Sequence, residues 1–482
     1  MLYSRICEFA LRRPEKTAII YADQLINYAT FAGCITSAIK FLSQFDVAAG
    51  STVAVIARNI AHAWFVGIAA RAKGLHTISA RSLAEIPRNI GVSAVLRVES
   101  DGEVASGCGD EFEKLPQISF PSLWRTIKEF DASDVNLGHL ECGDHLLFTS
   151  GTTGSGKGVV LSGEQEDLRN AFRAATLGLD ESSIFHGMSF GVWTGAGYKQ
   201  PSAVWHVGGT VIFDQRSNQL FNYAAKESDQ VALLPADILQ LMKSPQAGDL
   251  KPSDTLISLS SGFVTKRMME FIRARMSRNI ILRYSATELI DVPLSRRDDG
   301  GDDFHWLDVA PGCVVEIVDA QGDVVPVDVE GTLRIRLKAY DPQGYLGDDR
   351  ASAAVFRDGC FYPGDMAVRR PDGRVRIVGR VVDVINLHGH KWAVAPLEAL
   401  IQDELSAEDV CLFIHNTAEG DEEMIVAVQS QVRPSEGAVE RIKARFSGID
   451  RLRVETMAEF PRSDSGTRKV QRSVLKAMLT AK

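Results

Sequence analysis

The sequence lacks the features that mark several large classes of protein. Its seven cysteines, at positions 7, 34, 108, 142, 313, 360 and 411, include no C-x-x-C pair, so neither a zinc cluster nor a disulfide framework is indicated. Unpaired, reduced thiols are typical of cytoplasmic proteins, and we expect that location. No run reaches the roughly 18 unbroken apolar residues that cross a bilayer, so we expect no membrane span.

An excess of positive charge is also absent. Lysine and arginine number 53 against 62 aspartate and glutamate, a formal net charge of −9, which excludes the basic field that non-specific nucleic-acid binding requires. The hydrophobic fraction of 45% and the charged fraction of 24% are ordinary for globular proteins. The 482 residues therefore predict a folded protein of about three units of roughly 150 residues each, or of one large domain plus a smaller one, without a nucleic-acid partner.

The order of apolar segments predicts the fold class. Residues 53–57, 61–73 and 75–78 alternate between strand-like and helix-like patterns, which is typical of parallel sheets with crossover helices. From Gly312 the pattern changes to short alternating strands separated by glycine turns, and this region ends near Gly379. We predict a large α/β domain with a β-barrel-like subdomain at 1–379 and a small, mobile α+β domain at 380–482.

A glycine-rich segment, Leu146–Gly163, carries the strongest chemical signal. After an apolar strand it places Ser150, Thr152 and Thr153, four glycines and Lys157 within nine positions, so backbone N–H groups and a cation can converge on phosphate oxygens. The spacing from Gly151 to Lys157 also satisfies the G-x-x-x-x-G-K pattern of P-loop nucleotide triphosphatases. A P-loop continues with serine or threonine and a helix, whereas here Gly158 and a β-branched run follow, so we predict a strand–loop–strand cradle.

Five segments in order resemble the signatures of the adenylate-forming superfamily, which includes acyl-CoA synthetases, aryl-acid ligases and the adenylation domains of peptide synthetases. They are TSGTTGSGKG (149–158), RYSATEL (283–289), FYPGDMAV (361–368), GRVVDVINLHGHKW (379–392) and FPRSDSGTRKVQR (460–472). The opening PEKTAIIYADQLINYATF is similar to the N-terminal segment of the same family. The resemblance thus spans most of the chain.

The resemblance implies a role for each motif residue in binding ATP and Mg²⁺. Tyr284 would stack on adenine, since stacking on a base is worth ~1–3 kcal/mol. Thr287 would donate to the α-phosphate, and Glu288 would offer the hard oxygen ligand that Mg²⁺ prefers. Asp365 would accept hydrogen bonds from the ribose hydroxyls, with Arg380 beside it. The remaining nucleotide-binding candidates are Thr149, Ser150, Gly151, Thr152, Thr153, Gly154, Lys157, Gly262, Ser285 and Lys391.

The C-terminal segments would complete the active site. The resemblance implies that Lys469 binds the carboxylate and the α-phosphate together, although the neighbouring Arg468 is an alternative because Thr467 and Arg468 separate the lysine from Gly466. Gly389 would line the tunnel for the thiol. Val382 occupies the position of the family's usual polar hinge residue.

The acid itself is predicted from the segment Ser183–Gln200. Family members that use α-amino acids place an acidic residue there to pair with the ammonium group, and this segment contains no acid. A buried ammonium without a partner would cost several kcal/mol. We therefore expect an aryl or fatty acid without an α-ammonium group, bound by Phe190, Gly191, Trp193 and Tyr198.

These observations lead to one main hypothesis and two alternatives. The main hypothesis is an ATP-dependent acid–thiol ligase that forms an acyl-adenylate, releases pyrophosphate and transfers the acyl group to CoA or to the phosphopantetheine of a discrete carrier protein. The sequence leaves those two acceptors open. The alternatives are a free-standing amino-acid adenylation enzyme and a non-catalytic nucleotide-binding regulator.

Overall fold

We describe the protein from a computed structural model. It describes residues 1–21, 24–57, 59–87, 90–98, 112–121, 142–149, 157–187, 190–213, 228–381, 384–387, 390–416, 422–445, 451–462 and 470–480. All statements about absent features below refer to these ranges.

The strands of the described residues are β1 Thr17–Tyr21, β2 Gln24–Asn27, β3 Thr52–Ile56, β4 His76–Ala80, β5 Ala94–Val98, β6 Gln117–Phe120, β7 His145–Thr149, β8 Lys157–Leu161, β9 Ile184–Gly187, β10 Thr210–Phe213, β11 Gln230–Leu233, β12 Leu256–Leu259, β13 Ile280–Tyr284, β14 Leu294–Arg297, β15 Asp308–Val309, β16 Val315–Val318, β17 Gly331–Arg336, β18 Phe356–Arg357, β19 Cys360–Phe361, β20 Asp365–Arg369, β21 Val375–Arg380, β22 Val384–Leu387, β23 His390–Ala393, β24 Asp409–Asn416, β25 Glu422–Gln429 and β26 Leu452–Met457.

The helices are α1 Leu2–Arg12, α2 Tyr28–Leu42, α3 Ile60–Ala72, α4 Glu166–Leu177, α5 Gly195–His206, α6 Pro235–Lys243, α7 Lys266–Arg275, α8 Asp349–Val355, α9 Val394–Leu405, α10 Glu436–Arg445 and α11 Arg472–Thr480. Among the described helices none combines the length and the apolar character needed to cross a bilayer.

Two mixed sheets form the large N-terminal part. One has nine strands in the order β15-β14-β13-β12-β11-β9-β10-β1-β2, and the other has six in the order β6-β5-β3-β4-β7-β8. The strands from β10 through β9, β11 and β12 to β13 pair in parallel, as do β6, β5, β3, β4 and β7. Helix α3 is buried along its whole length, which explains why its sequence is apolar on every face apart from His62 and Arg71.

The phosphate-loop segment lies between two antiparallel strands. β7 and β8 pair from His145 with Leu161 to Thr149 with Lys157. The prediction that the chain continues as a strand after Lys157 is confirmed, and this excludes the strand-to-helix geometry of a P-loop. The β-branched Val159 and Val160 favour the extended conformation here.

The region after Gly312 forms a separate antiparallel sheet. Its order is β18-β19-β17-β20-β21, with β16 beside β17. Asp365 at the start of β20 pairs with Arg380 at the end of β21. Because the two residues are paired at the same end of these neighbouring strands, the register of the sheet brings together two predicted nucleotide-binding side chains.

The C-terminal part has its own core. β24, β25 and β26 form a three-stranded sheet, and β22 pairs with β23. Apolar side chains from this sheet pack against α9 and α10, with Ile401, Val426 and Ile442 fully buried. The predicted fold class, a large α/β part followed by a smaller α+β part, is confirmed. The boundary between Gly379 and Arg380, which falls at the end of β21, stays a prediction.

Candidate active site

A large cavity lies where the parallel strands of both mixed sheets end. Its volume is about 910 Å³. β4, β7, β12 and β13 reach it with their carboxyl ends, which is where α/β sheets commonly bind ligands. Of the predicted site residues that the structure describes, its wall contains Thr149, Lys157, Phe190, Trp193, Gly262, Tyr284, Ser285, Thr287, Glu288, Asp365 and Arg380.

One group of cavity residues is centred on Asp365. The hydroxyl of Tyr284 donates a hydrogen bond to Oδ2 of Asp365, and Nε of Arg380 lies 3.2 Å from Oδ1. Burial, followed by the negative charge of Asp365, raises the pKa of Tyr284 well above its usual value, so the phenol stays protonated as a donor. Three residues separated by up to 96 positions thus meet at the carboxylate of Asp365.

A second group surrounds Glu288. The hydroxyl of Tyr345 donates to Oε1 of Glu288 at 2.6 Å. Nζ of Lys157 lies 5.0 Å from the centroid of the Tyr345 ring, within range of a cation–π interaction. Burial raises the pKa of Tyr345, so its hydroxyl remains a donor at neutral pH. Lys157, Tyr345 and Glu288 therefore form one connected cluster.

The surroundings of Glu288 agree with the prediction that its carboxylate could bind Mg²⁺. Within the described part of the chain its Oε2 makes no hydrogen bond or ion pair, so this oxygen is available as a ligand. No group of three or more metal-ligating side chains occurs among the described residues. A single carboxylate is what Mg²⁺ commonly takes from a protein when phosphates and water complete its coordination.

The aromatic part of the cavity contains only some of the residues predicted for the acid. Phe190 and Trp193 line it, and Trp193 lies beneath Arg81, whose guanidinium carbon is 5.6 Å from the indole centroid. Arg81 pairs with Glu85 at 2.8 Å, so the acidic side chain at this end of the cavity already has a cationic partner.

Tyr198 lies outside the cavity wall, which corrects the prediction that it contacts the acid. It is 3% exposed, and its ring stacks on His145 at 3.8 Å and on Trp64 at 5.2 Å between centroids. Gly191 is not in the wall either; it lies so close to Trp193 that an added Cβ would come within 2.2 Å of the indole. In α5 the helical spacing directs Tyr198 towards the core, whereas Lys199 lines the cavity.

Several predicted residues fall outside the described part of the chain. These are Ser150, Gly151, Thr152, Thr153, Gly154, Val382, Gly389, Arg468 and Lys469, together with the side chain of Lys391. Their roles stay predictions.

The structure adds cavity residues that the motifs do not include. Phe263 and His305 stack in its wall with ring centroids 4.4 Å apart, and burial followed by Arg376 lowers the pKa of His305 to about 4. Ser261 adopts a positive φ of 64°, a conformation that is uncommon outside glycine. Tyr345 and Lys199 also line the cavity and lie outside the motifs. A lone histidine or tyrosine carries no sequence signal, because only the fold brings it to the site.

The segment 187–191 also satisfies the G-x-S-x-G pattern of serine hydrolases. In those enzymes a helix begins directly after the nucleophilic serine. Here β9 ends at Gly187, and the next described helix, α5, begins at Gly195. The pattern therefore gives no support to a hydrolase.

The described fold and cavity together define an adenylate-forming enzyme. Residues 7–345 match the family model described as AMP-binding enzyme. The chain belongs to the AMP-binding enzyme family.

The chain is similar to several CoA ligases, over different shares of its length. The chain is 25% identical over 456 residues to the indoleacetate–CoA ligase of Aromatoleum aromaticum (strain DSM 19018 / LMG 30748 / EbN1), which covers 88% of this chain and 86% of that protein. It is 32% identical to the 2-hydroxy-7-methoxy-5-methyl-1-naphthoate–CoA ligase of Streptomyces carzinostaticus, but over only 139 residues, 25% of each chain. Among solved structures, the anthranilate CoA ligase AuaEII in complex with anthranoyl-AMP superposes with a TM-score of 0.82 at 17% identity, covering 100% of this chain and 98% of that one.

Proposed function

We propose that the protein is an ATP-dependent acid–thiol ligase. It converts a carboxylic acid into an acyl-adenylate with release of pyrophosphate and then transfers the acyl group to a thiol. The observation that carries this proposal is the single cavity in which the Tyr284–Asp365–Arg380 group and the Glu288 cluster adjoin an aromatic pocket. A nucleotide and an organic acid can therefore be bound side by side.

The first step needs positive charge at the phosphates. A carboxylate oxygen attacks the α-phosphorus, the bond to the bridging oxygen breaks, and pyrophosphate leaves with the developing charge. Lys157 would hold the outer phosphates and Thr287 would donate to the α-phosphate, while Lys469 would contact the carboxylate and the α-phosphate together. When bound at Glu288, Mg²⁺ would neutralise charge on the leaving pyrophosphate.

In the second step the thiol sulfur attacks the acyl carbonyl carbon, the bond to the AMP oxygen breaks, and the thiol proton is lost. We propose that the small domain from Arg380 onwards rotates between the two steps and that Gly389 then faces the thiol. Val382 would lie at the pivot.

The substrate that we propose is an aryl or fatty acid. Phe190 and Trp193 supply apolar surface, and among the described residues of the cavity wall Glu85 is already paired with Arg81. The other two wall carboxylates, Glu288 and Asp365, lie in the clusters proposed for Mg²⁺ and ribose. An α-ammonium group would thus have no free carboxylate partner. Two of the CoA ligases similar to this chain are named for aromatic acids, indoleacetate and a substituted naphthoate, which agrees with an aryl acid.

The acceptor is either CoA or the phosphopantetheine of a carrier protein, and both undergo the same chemistry. The relatives favour CoA by name. A cytoplasmic location stays a prediction.

Pyrophosphate exchange tests the proposed function. Purified protein with ATP, Mg²⁺ and labelled pyrophosphate should exchange label into ATP only when a suitable acid is present. A panel of aryl, fatty and amino acids would identify the substrate class, and adding CoA should yield a thioester. ATP binding without exchange for any acid would favour a non-catalytic regulator, and exchange restricted to amino acids would favour an amino-acid adenylation enzyme.

Gly195, the first residue of α5, offers a test of the packing around Thr287. A Cβ added at Gly195 would come within 2.9 Å of Oγ1 of Thr287. We expect Gly195→Ala to lower the exchange rate by about tenfold to a hundredfold, because small misplacements of contacting groups have effects of that size. Steady-state exchange and thermal unfolding would be measured together.

The matched control is Gly248→Ala, since a Cβ at Gly248 meets open space. It should leave the exchange rate unchanged. Equal rates for the two variants would contradict the role given to Thr287.

A further inference from the structure

A lysine is buried against the backbone of the segment that carries Thr287 and Glu288. Lys199, on α5, is 6% exposed. Its Nζ donates to the carbonyl oxygens of Ala286 at 3.3 Å, Thr287 at 2.8 Å and Leu289 at 2.7 Å. An ammonium group has three N–H donors, and all three are used by these carbonyls.

A second buried cation extends this arrangement. Arg173, on α4, donates through Nη1 to the carbonyl oxygen of Ile290 at 2.7 Å, and the N–H of Ile290 donates to Oδ1 of Asp341 at 2.8 Å. Residues 286–290 lie between β13 and β14, outside any described helix or strand. Because no strand ladder uses them, the carbonyls of Ala286, Thr287, Leu289 and Ile290 can accept from side chains of α4 and α5, and that of Ala286 also accepts from the N–H of Leu289.

The two cations are held by backbone carbonyls, while Glu288 and Asp341 near Lys199 and Asp291 near Arg173 attract them without pairing directly. Within the described ranges, neither Lys199 nor Arg173 forms an ion pair with a carboxylate, although both are more than nine-tenths buried. Burial of an unpaired charge is costly, so a neutral donor would be the cheaper way to fill this space. The ammonium offers three converging, charge-assisted hydrogen bonds, which a glutamine or methionine could not supply.

We propose that Lys199 is a positioning residue that fixes Thr287 and Glu288 for adenylation through the backbone carbonyls of their segment. This inference rests on the proposed function. It assigns no substrate contact to Lys199, because its donors are already used.

The charge state of Lys199 gives the proposal a pH signature. Burial, and then the charge of Arg173, lowers the pKa of Lys199 to about 7; Glu288 and Asp341 act in the opposite direction, and Arg169 lowers it further. Above this pKa the neutral amine has two donors and turns a lone pair towards the third carbonyl. The exchange rate should therefore fall as the pH rises above about 7.

The contribution of Lys199 to the free energy of unfolding should change with pH in the opposite direction to the exchange rate. A lysine in the unfolded chain has a pKa of about 10.4, so between pH 7 and 10.4 the unfolded state binds more protons than the folded state. The contribution of Lys199 to the free energy of unfolding therefore rises with pH over this window. If the exchange rate falls while the free energy of unfolding rises, unfolding cannot explain the loss of activity. That result would support a positioning role for Lys199.

The experiment compares wild type, Lys199→Met and Lys199→Arg in pyrophosphate exchange from pH 6 to 9.5, with thermal unfolding at each pH. We expect Lys199→Met to lower kcat by about a hundredfold, to leave the KM for the acid nearly unchanged and to lose the alkaline decline. Lys199→Arg keeps a positive charge and should retain part of the activity without that decline.

Arg296→Met is the control: Arg296 is equally buried, donates to the carbonyl of Trp306 and lies outside the cavity. It should lower stability and keep the wild-type pH profile.

Three results decide the inference. An active wild type with an unchanged kcat and pH profile in Lys199→Met would overturn it and leave the proposed function intact. A raised KM for the acid with an unchanged kcat would also overturn it, since Lys199 would then bind substrate. If wild type catalyses no exchange with any acid, the proposed function fails, and a crystal structure of Lys199→Met decides the positioning role: displaced 286–289 carbonyls would support it, and unmoved ones would contradict it.

Discussion

Replacing Lys469 with methionine should reduce acid-dependent pyrophosphate exchange by about a hundredfold to a thousandfold, the loss expected when one group that stabilises transition-state charge is removed. The reason is that the adenylation step brings two anions together, the carboxylate and the α-phosphate, and Lys469 is the cation proposed to contact both. ATP binding should change much less, because Lys157 and the Asp365 group would remain. Exchange and ATP affinity would be measured on the same preparation.

Arg468→Met is the matched control for this prediction, since it removes the neighbouring cation. It should keep exchange within a few-fold of wild type. If Arg468→Met abolishes exchange while Lys469→Met does not, the prediction for Lys469 is wrong. Arg468 is then the residue that contacts the carboxylate and the α-phosphate.

Glu288→Gln should produce the second largest loss, about a hundredfold in exchange, together with a higher Mg²⁺ requirement. The substitution keeps the side-chain volume and an oxygen that can accept from Tyr345, so the cluster should stay folded. It removes the negative charge that would bind the ion. Exchange as a function of Mg²⁺ concentration checks this result.

Glu316→Gln is a suitable control for Glu288→Gln. Glu316 lies on β16, pairs with Arg334 at 2.8 Å and does not line the cavity. It should leave the Mg²⁺ dependence unchanged. An equal shift in both variants would show that the effect is one of general charge and would contradict a specific metal role for Glu288.

Much of the fold follows from local sequence patterns. The succession of β3 and α3 is visible because the apolar residues of β3 and a helix buried along its whole length give continuous hydrophobic runs. The signal of β4 is weaker, since its sequence HTISA includes three polar residues. The C-terminal end was harder to predict. The last helix, α11, buries only Leu475 and Leu479, which lie one helical turn apart, and its other residues include basic ones. Two buried leucines are too short an amphipathic pattern to predict a helix from the sequence.

The site was predictable where function constrains several neighbouring residues. Tyr284, Asp365 and Arg380 lie in three motifs, and the structure brings them into contact. Tyr345 and Lys199 are not predictable, because neither lies in a motif and only the fold brings them to partners 57 and 88 residues away. Tyr198 was assigned to the acid pocket for its aromatic ring alone. Its place in the core depends on which face of α5 meets the sheet.

The central claim is that a carboxylate oxygen attacks the α-phosphorus of ATP within the cavity. Isotope transfer tests it most directly: a substrate acid from the exchange panel, labelled with ¹⁸O in its carboxylate, is converted with ATP and a thiol acceptor, and the AMP is analysed by mass spectrometry. The account predicts that AMP gains one ¹⁸O atom, because the attacking oxygen stays with phosphorus when the thiol displaces it. Thioester formation with unlabelled AMP, or with label in inorganic phosphate, would contradict it.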